Sequence, residues 1–248
     1  MSGVTYSFLI TTLAGLSTMI GSIIIFYKKK TNNIITASLA FASGVMMCVS
    51  ITDLVPESIN LLNENFYIIP TILISLIFIV IGIILSMTID KYLPENKNNG
   101  SLYRVGIISM LAIILHNVPE GIATFMASNT NLSLGISLAI AIALHNIPEG
   151  ISISVPIYYA TNSRLKALGY TFLSGMSELV GAIITYLFLS KLINPIFMGM
   201  LFSIIAGIMM HISVYELIPT SLNYNNKKLT IISFILGVGV MLLNHFLF

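Results

Sequence analysis

Charge is what this sequence has least of. Of its 248 residues only 8% are Asp, Glu, Lys or Arg, while 56% are hydrophobic and the mean hydropathy is +0.97. A water-soluble domain of this length needs far more charge to cover its surface, so that class is excluded. Cysteine is nearly absent as well. The single Cys48 rules out an intrachain disulfide framework, and its place inside an apolar run says nothing about redox compartment. The net charge of +2 sits in short polar stretches and implies no nucleic-acid partner. No basic residue precedes the first apolar run, at 6–27, and Lys28, Lys29 and Lys30 follow it. A secretory signal has the opposite polarity, so this run reads as a retained span.

What is present is a succession of apolar runs of about 20 residues, each long enough to cross a bilayer. Polar punctuation divides them into segments near 6–27, 34–58, 68–89, 105–127, 133–160, 166–189, 196–219 and 229–247. The fold class that follows is all-α: a polytopic membrane protein with eight transmembrane helices, forming a single transmembrane domain over 1–248. The stretch 90–104, "DKYLPENKNNGSLYR", reads as a polar loop between spans 3 and 4; with no His or Cys it is not a metal-binding loop. Ten of the eleven basic residues fall after odd-numbered spans, and only Lys191 falls on the other side. The positive-inside rule then makes those connections cytoplasmic and sets both termini outside. Abundant Asn, Ile and Lys suggest an AT-rich bacterial genome, and hence the bacterial inner (cell) membrane.

None of the basic residues lies within a span, yet Asp53, Glu57, Glu120, Glu149, Glu178 and Glu216 lie in or near one. A charge at the bilayer centre costs roughly 2.5–3.5 kcal/mol on the insertion scale. Without a cationic partner, such carboxylates are accommodated by protonation, by a water-filled cavity or by a bound metal ion. Glu120 and Glu149 each close a repeated word, "LHNVPEG" at 115–121 and "LHNIPEG" at 144–150. On a helix advancing about 100° per residue, Glu120 falls near 40° and Asn117 near 100° from His116, so all three share a face. His145, Asn146 and Glu149 do the same. Pro119 and Pro148 are expected to bend their helices and weaken the bonds to the carbonyls of Leu115 and Leu144. Gly121 and Gly150 permit close helix approach. Imidazole with carboxylate suits zinc, iron, manganese or cobalt, whereas an all-oxygen set would suit calcium or magnesium. Two facing words supply two His, two Asn and two Glu, and Glu178 in "SGMSELVGA" is the natural third carboxylate. Bridging glutamates allow two neighbouring ions.

A second self-similarity points to transport. "GVMMCVSITDLVPESIN" (44–60) aligns with "GIMMHISVYELIPTSLN" (207–223), pairing Gly44 with Gly207, Asp53 with Glu216 and Pro56 with Pro219. Similar segments on spans of opposite direction indicate an inverted repeat, here spans 1–3 with 6–8 around a central pair, spans 4 and 5. Asp53 and Glu57 stand where an entering cation would meet them, Glu216 and His211 where it would leave. His245 reads as interfacial. An intramembrane metalloprotease would need HExxH, and the neighbour of each His is Asn. A metal-selective channel is the remaining alternative to a carrier.

Paired HNxPEG words on the fourth and fifth of eight spans resemble the ZIP family of zinc- and iron-regulated-transporter-like proteins, most closely its prokaryotic broad-range zinc-uptake branch. The resemblance implies a non-enzymatic importer of divalent metals (zinc, and also iron, manganese, cobalt or cadmium) with the ions as substrate and no resident cofactor. It implies one ion on His116, Glu120, His145 and Glu149, with Met46 as an additional ligand, and a second on Asn117, Glu120, Asn146, Glu149 and Glu178. It further implies an elevator-like movement of one helix bundle and a homodimer. Three features depart from the family pattern: Leu179 stands where many relatives have Pro, Tyr215 where many have His or Asp, and there is no histidine-rich third loop.

Overall fold

The computed structural model describes residues 3–27, 31–92, 100–188 and 194–247. Every regular element among them is helical, and eight helices are long and apolar enough to cross a membrane. We number these α1 (Gly3–Phe26), α2 (Asn32–Asn63), α3 (Ile68–Tyr92), α4 (Leu102–Thr130), α5 (Leu132–Thr161), α6 (Arg164–Phe188), α7 (Pro195–Leu222) and α8 (Lys227–Leu247). In lipid each backbone polar group needs an internal partner, which a helix supplies along its own length. The ends are closed by short polar side chains. Asn131 accepts from the amides of Ser133 and Leu134 at 3.0 and 3.2 Å, starting α5, and Asn194 accepts from Phe197 at 2.8 Å, starting α7. Asn162, with φ at 55°, ends α5 in the left-handed conformation that asparagine tolerates.

The spans expected from the sequence are all present, with differences at two places. The stretch 90–104 is not loop throughout, because α3 runs to Tyr92 and a helix resumes at Gly100. Asp90 and Arg104 therefore face each other from helix ends, joined at 2.5 Å, with Arg104 also donating to the Asp90 carbonyl at 2.7 Å. Span two extends past 58 to Asn63, since Pro56 sits in the first turn of a new helical segment and does not stop the chain. Lys28, Lys29, Lys30, Lys97 and Lys191, on which the orientation leans, lie outside the described residues.

Helix openings occur where the sequence reading did not place them. α4 and α5 remain continuously helical through Pro119 and Pro148. Instead, α2 and α7 each contain one π-helical stretch, Ser50–Leu54 and Ser213–Leu217. The cause is legible in the chain. Pro56 and Pro219 have no N–H to offer the preceding turn, and the amides of Val55 and Ile218 bond the carbonyls of Ser50 and Ser213. Hydroxyls take carbonyls just upstream, Ser50 that of Met46 at 2.7 Å and Thr52 that of Cys48 at 2.9 Å. Such π-bulges recur at functional positions, and these two carry Asp53 and Glu216.

The helices group into two bundles by glycine contacts in which one backbone lies directly on another. In the first bundle a β-carbon on Gly44 would overlap Phe234 and one on Gly237 would overlap Phe41, joining α2 to α8; Gly82 and Gly207 join α3 to α7 in the same reciprocal way. In the second, Gly121 and Gly181 seat α4 on α6, Gly150 and Gly21 seat α5 on α1, and Gly15 meets Gly175 between α1 and α6. Every contact has its counterpart under the exchange of spans 1–3 with 6–8 and 4 with 5. Equivalent helices of the outer spans are five apart in order, an odd number, so they run in opposite directions. Packing thus unites α1, α4, α5 and α6, and separately α2, α3, α7 and α8. Buried hydroxyls clasp the α2, α3, α7 and α8 bundle: Ser203 on α7 meets Ser58 at 2.5 Å and Ser75 at 2.9 Å. Between the bundles lies an apolar core that includes Val105, Ile108 and Ala112 of α4 and Phe202, Ile205 and Met209 of α7.

Candidate metal centre

The two repeated words face one another across the α4–α5 contact. His116 and Glu120 are one turn apart on α4, with His116 Nε2 3.0 Å from Glu120 Oε1. His145 of α5 reaches the same oxygen from the other side at 2.8 Å. Glu149 Oε1 lies 3.6 Å from His116 Nε2, and the two imidazole centroids are 5.9 Å apart. Ligand atoms of His116, Glu120 and His145 all lie within 4.8 Å of one another, the separation a single cation spans. Glu178 joins from α6, where its Oε1 accepts from Asn146 Nδ2 at 2.5 Å. Its backbone is pressed against Gly121, so the glycine of the first word fixes the position of the third carboxylate.

The asparagines hold the frame. Asn117 Nδ2 donates to the Ser174 carbonyl of α6 at 3.2 Å, and Asn146 Nδ2 donates to the Ala14 carbonyl of α1 at 3.1 Å. Each amide is thereby oriented with its oxygen left over. These carbonyls were not foreseen from the sequence. A signal existed: "GLSTMIG" (15–21) and "GMSELVG" (175–181) share Gly, Ser and Gly at equal spacing, which gives the pairing of spans 1 and 6 its residue register.

Seven residues of the two words and α6 are buried, none more than 7% exposed. Among their atoms, His116 Nδ1 and Nε2, Asn117 Oδ1, Glu120 Oε2, Asn146 Oδ1, both Glu149 oxygens and Glu178 Oε2 have no hydrogen-bond partner. His116 Nε2 is near Glu120 yet not aimed at it as a hydrogen bond requires. Leaving one such group buried and unpaired costs about 1–3 kcal/mol, more when charged. Buried charges are otherwise paired or coordinate metals. The set of donors is rich in carboxylate oxygen and imidazole nitrogen, and no Lys or Arg lies inside any span beyond the helix ends. A divalent transition metal as cargo fits this donor set.

Most of the remaining candidates have partners of their own. Met46 is fully buried in the apolar core between the bundles, and its carbonyl accepts from Ser50. Asp53, on the α2 π-turn, bonds Thr52 and pairs with the half-exposed His245 in the last turn of α8 at 2.9 Å. Glu57 is exposed one turn further on. At the other end, Glu216 shares a side-chain hydrogen bond with Asp90. His211 bonds Ser86 at 2.9 Å and stacks on Tyr215, centroid to centroid 4.9 Å. The π-turn carboxylates thus occupy opposite ends of the molecule, each opposed by a titratable residue at the end of a neighbouring helix.

Comparison with known sequences gives a consistent picture. The sequence model described as ZIP zinc transporter matches residues 94–245. A protein of Clostridium perfringens named zinc transporter ZupT is 42% identical, the alignment covering 100% of this chain and 98% of that protein. Proteins of the same name from Chlorobaculum parvum and Streptococcus mutans are 42% and 41% identical, each over 98% of this chain and 97% of their own.

Proposed function

The chain belongs to the ZIP zinc-transporter family, a membrane transporter and not an enzyme, and from that premise we propose that it imports divalent transition-metal ions, zinc foremost, through the buried His–Asn–Glu cluster. The observation that supports this is the convergence of two HNxPEG words and Glu178 on one buried volume, with unpartnered N and O atoms and, among the described residues, Lys and Arg only toward the helix ends. His116, Glu120, His145 and Glu149 hold one ion. Asn117, Asn146 and Glu178, with shared glutamate oxygens, hold a second. Met46 is assigned as a ligand by the family resemblance alone.

Zinc, iron, manganese, cobalt and cadmium all accept such ligands; import toward the cytoplasm is what the family resemblance implies, and the positive-inside rule sets both termini outside. Asp53 and Glu57 collect the ion at the outer end of α2, with His245 as the group it displaces. Glu216 receives it at the inner end of α7, near His211. Alternating access consists of the α1, α4, α5 and α6 bundle sliding against the other across the apolar core, with Arg104–Asp90, Tyr159–Thr31 and Asn244–Ala141 among the polar links that must give. A homodimer, implied by the family, is part of the same proposal.

The test is zinc uptake into liposomes holding the purified protein. Saturation and counterflow of labelled zinc distinguish a carrier; steep single-channel currents would make it a pore. Competition by the other metals ranks preference. Lowering pH from about 8 to about 5 protonates imidazoles, whose ordinary pKa is about 6.5, and protons then compete with metal for the same nitrogens. Apparent zinc affinity should fall steadily across that range. Affinity independent of pH would mean that histidine is not a ligand.

A further inference from the structure

The centre is symmetric in its backbone and asymmetric in its charge. Under the inverted repeat, Ala14 corresponds to Ser174, Gly15 to Gly175, Thr18 to Glu178 and Gly21 to Gly181. The structure honours each pairing. Asn117 bonds the Ser174 carbonyl as Asn146 bonds the Ala14 carbonyl. The Glu178 backbone lies on Gly121 as the Thr18 backbone lies on Gly150. A β-carbon at Gly15 would stand 3.2 Å from Glu178 Cβ, and one at Gly175 would stand 3.2 Å from Thr18 Oγ1. Thr18 therefore occupies the mirror place of Glu178, with a mirror glycine beside it and a fully buried side chain.

The two side chains behave differently. Glu178 reaches Asn146 and presents a second, unpartnered oxygen. Thr18 turns its hydroxyl back on its own helix, donating to the Gly15 carbonyl at 2.8 Å. It brings no charge to the side where Asn117 Oδ1 is unpartnered. The cluster consequently holds three carboxylates, Glu120, Glu149 and Glu178, where full symmetry would give four. Two divalent ions bring four positive charges, and neutral imidazoles and amides offset none of them.

Resting on the metal-site reading above, we propose that Thr18 is the residue that sets occupancy: by withholding the fourth carboxylate it makes the second divalent ion bind far more weakly than the first. The first ion sits between the two words. The second is confined to the Glu178 side and leaves readily, so this position determines how many ions travel together. Affinity of hard and borderline cations rises with the carboxylate count of the site.

The experiment is calorimetric titration of the full-length purified protein with zinc, and separately with cadmium, comparing wild type, Thr18→Glu and Thr18→Gln. Gln matches Glu in shape and lacks only the charge. Thr18→Glu should bind the second ion at least about ten-fold tighter than Thr18→Gln, given the added charge in a low-dielectric site. Thr18→Asp against Thr18→Asn repeats the contrast with side chains close to threonine in size, should the longer pair fail to fold. Equal second-ion affinity within both acid–amide pairs would refute the role of Thr18 while leaving first-ion binding intact. If wild type itself takes up no ion, the metal-site reading fails, and the occupancy role with it; the wild-type isotherm alone reports that outcome.

Discussion

Replacing Glu120 and Glu149 together by glutamine reduces zinc uptake to the level of protein-free liposomes. Glutamine preserves the size and most of the hydrogen-bonding capacity of each side chain, so the packing of α4 on α5 has no reason to change. What is lost is charge at the place where both histidines converge, since Glu120 alone touches His116 and His145. Removing a residue that merely hydrogen-bonds a metal ligand already costs roughly 10–100-fold in affinity, and these two carboxylates are direct ligands in our reading. A second signature separates loss of a ligand from loss of the fold. Each buried carboxylate carries a penalty of roughly 2.5–3.5 kcal/mol in the membrane interior. The double amide should therefore melt at a higher temperature than wild type when both are metal-free, and should gain nothing on adding zinc, whereas wild type is stabilised by it. Near-normal uptake, or a zinc-dependent rise in melting temperature of the variant, would remove these residues from the site.

Gly121→Ala should cost at least ~10-fold in uptake by a different route, one that is purely steric. Its β-carbon would overlap the carbonyl of Glu178, and the next nearest atoms are the same residue's backbone carbon atoms. Backbone cannot swing aside as a long side chain does. α4 and α6 must part, at about 1–3 kcal/mol or more for overpacking, and Glu178 is carried away from Asn146. The melting temperature falls along with zinc uptake. Gly169→Ala is the matched control within α6: its β-carbon meets open space, and alanine is favoured over glycine in a helix by about 1 kcal/mol. Uptake should be unchanged and stability equal or greater. If Gly121→Ala were as harmless as Gly169→Ala, the close approach of α4 and α6 would not position the third carboxylate.

Much of this was legible in the chain, and the parts that were not have physical reasons. All eight spans could be read, because apolar length is a property of single segments. The two HNxPEG words revealed their shared face because His, Asn and Glu at i, i+1 and i+4 must lie together on a helix. The correspondence of 44–60 with 207–223 disclosed the inverted repeat for spans two and seven. For spans one and six the pairing had no residue-level match behind it, since only small residues persist there: Gly15, Ser17 and Gly21 against Gly175, Ser177 and Gly181. Those residues act through backbone contact, which leaves no chemical trace in a side chain. The π-turns were also missed. α4 and α5 stay helical through Pro119 and Pro148, and it is ahead of Pro56 and Pro219 that the bonding pattern widens to a π-turn, with the Ser50 and Thr52 hydroxyls taking carbonyls of the preceding turn in α2. The pairing of Asp53 with His245 depends on α8 lying against α2, a tertiary fact no local pattern encodes.

The most direct measurement is anomalous diffraction from crystals of the wild-type protein soaked in cadmium. A peak is expected between α4 and α5, within ligand distance of His116, Glu120, His145 and Glu149 and about 2.0–2.4 Å from their nitrogen and oxygen atoms. A weaker peak, if a second appears, belongs on the Glu178 side. Peaks confined to the helix ends near Asp53 or Glu216, with the space between His116 and His145 holding none, would contradict it.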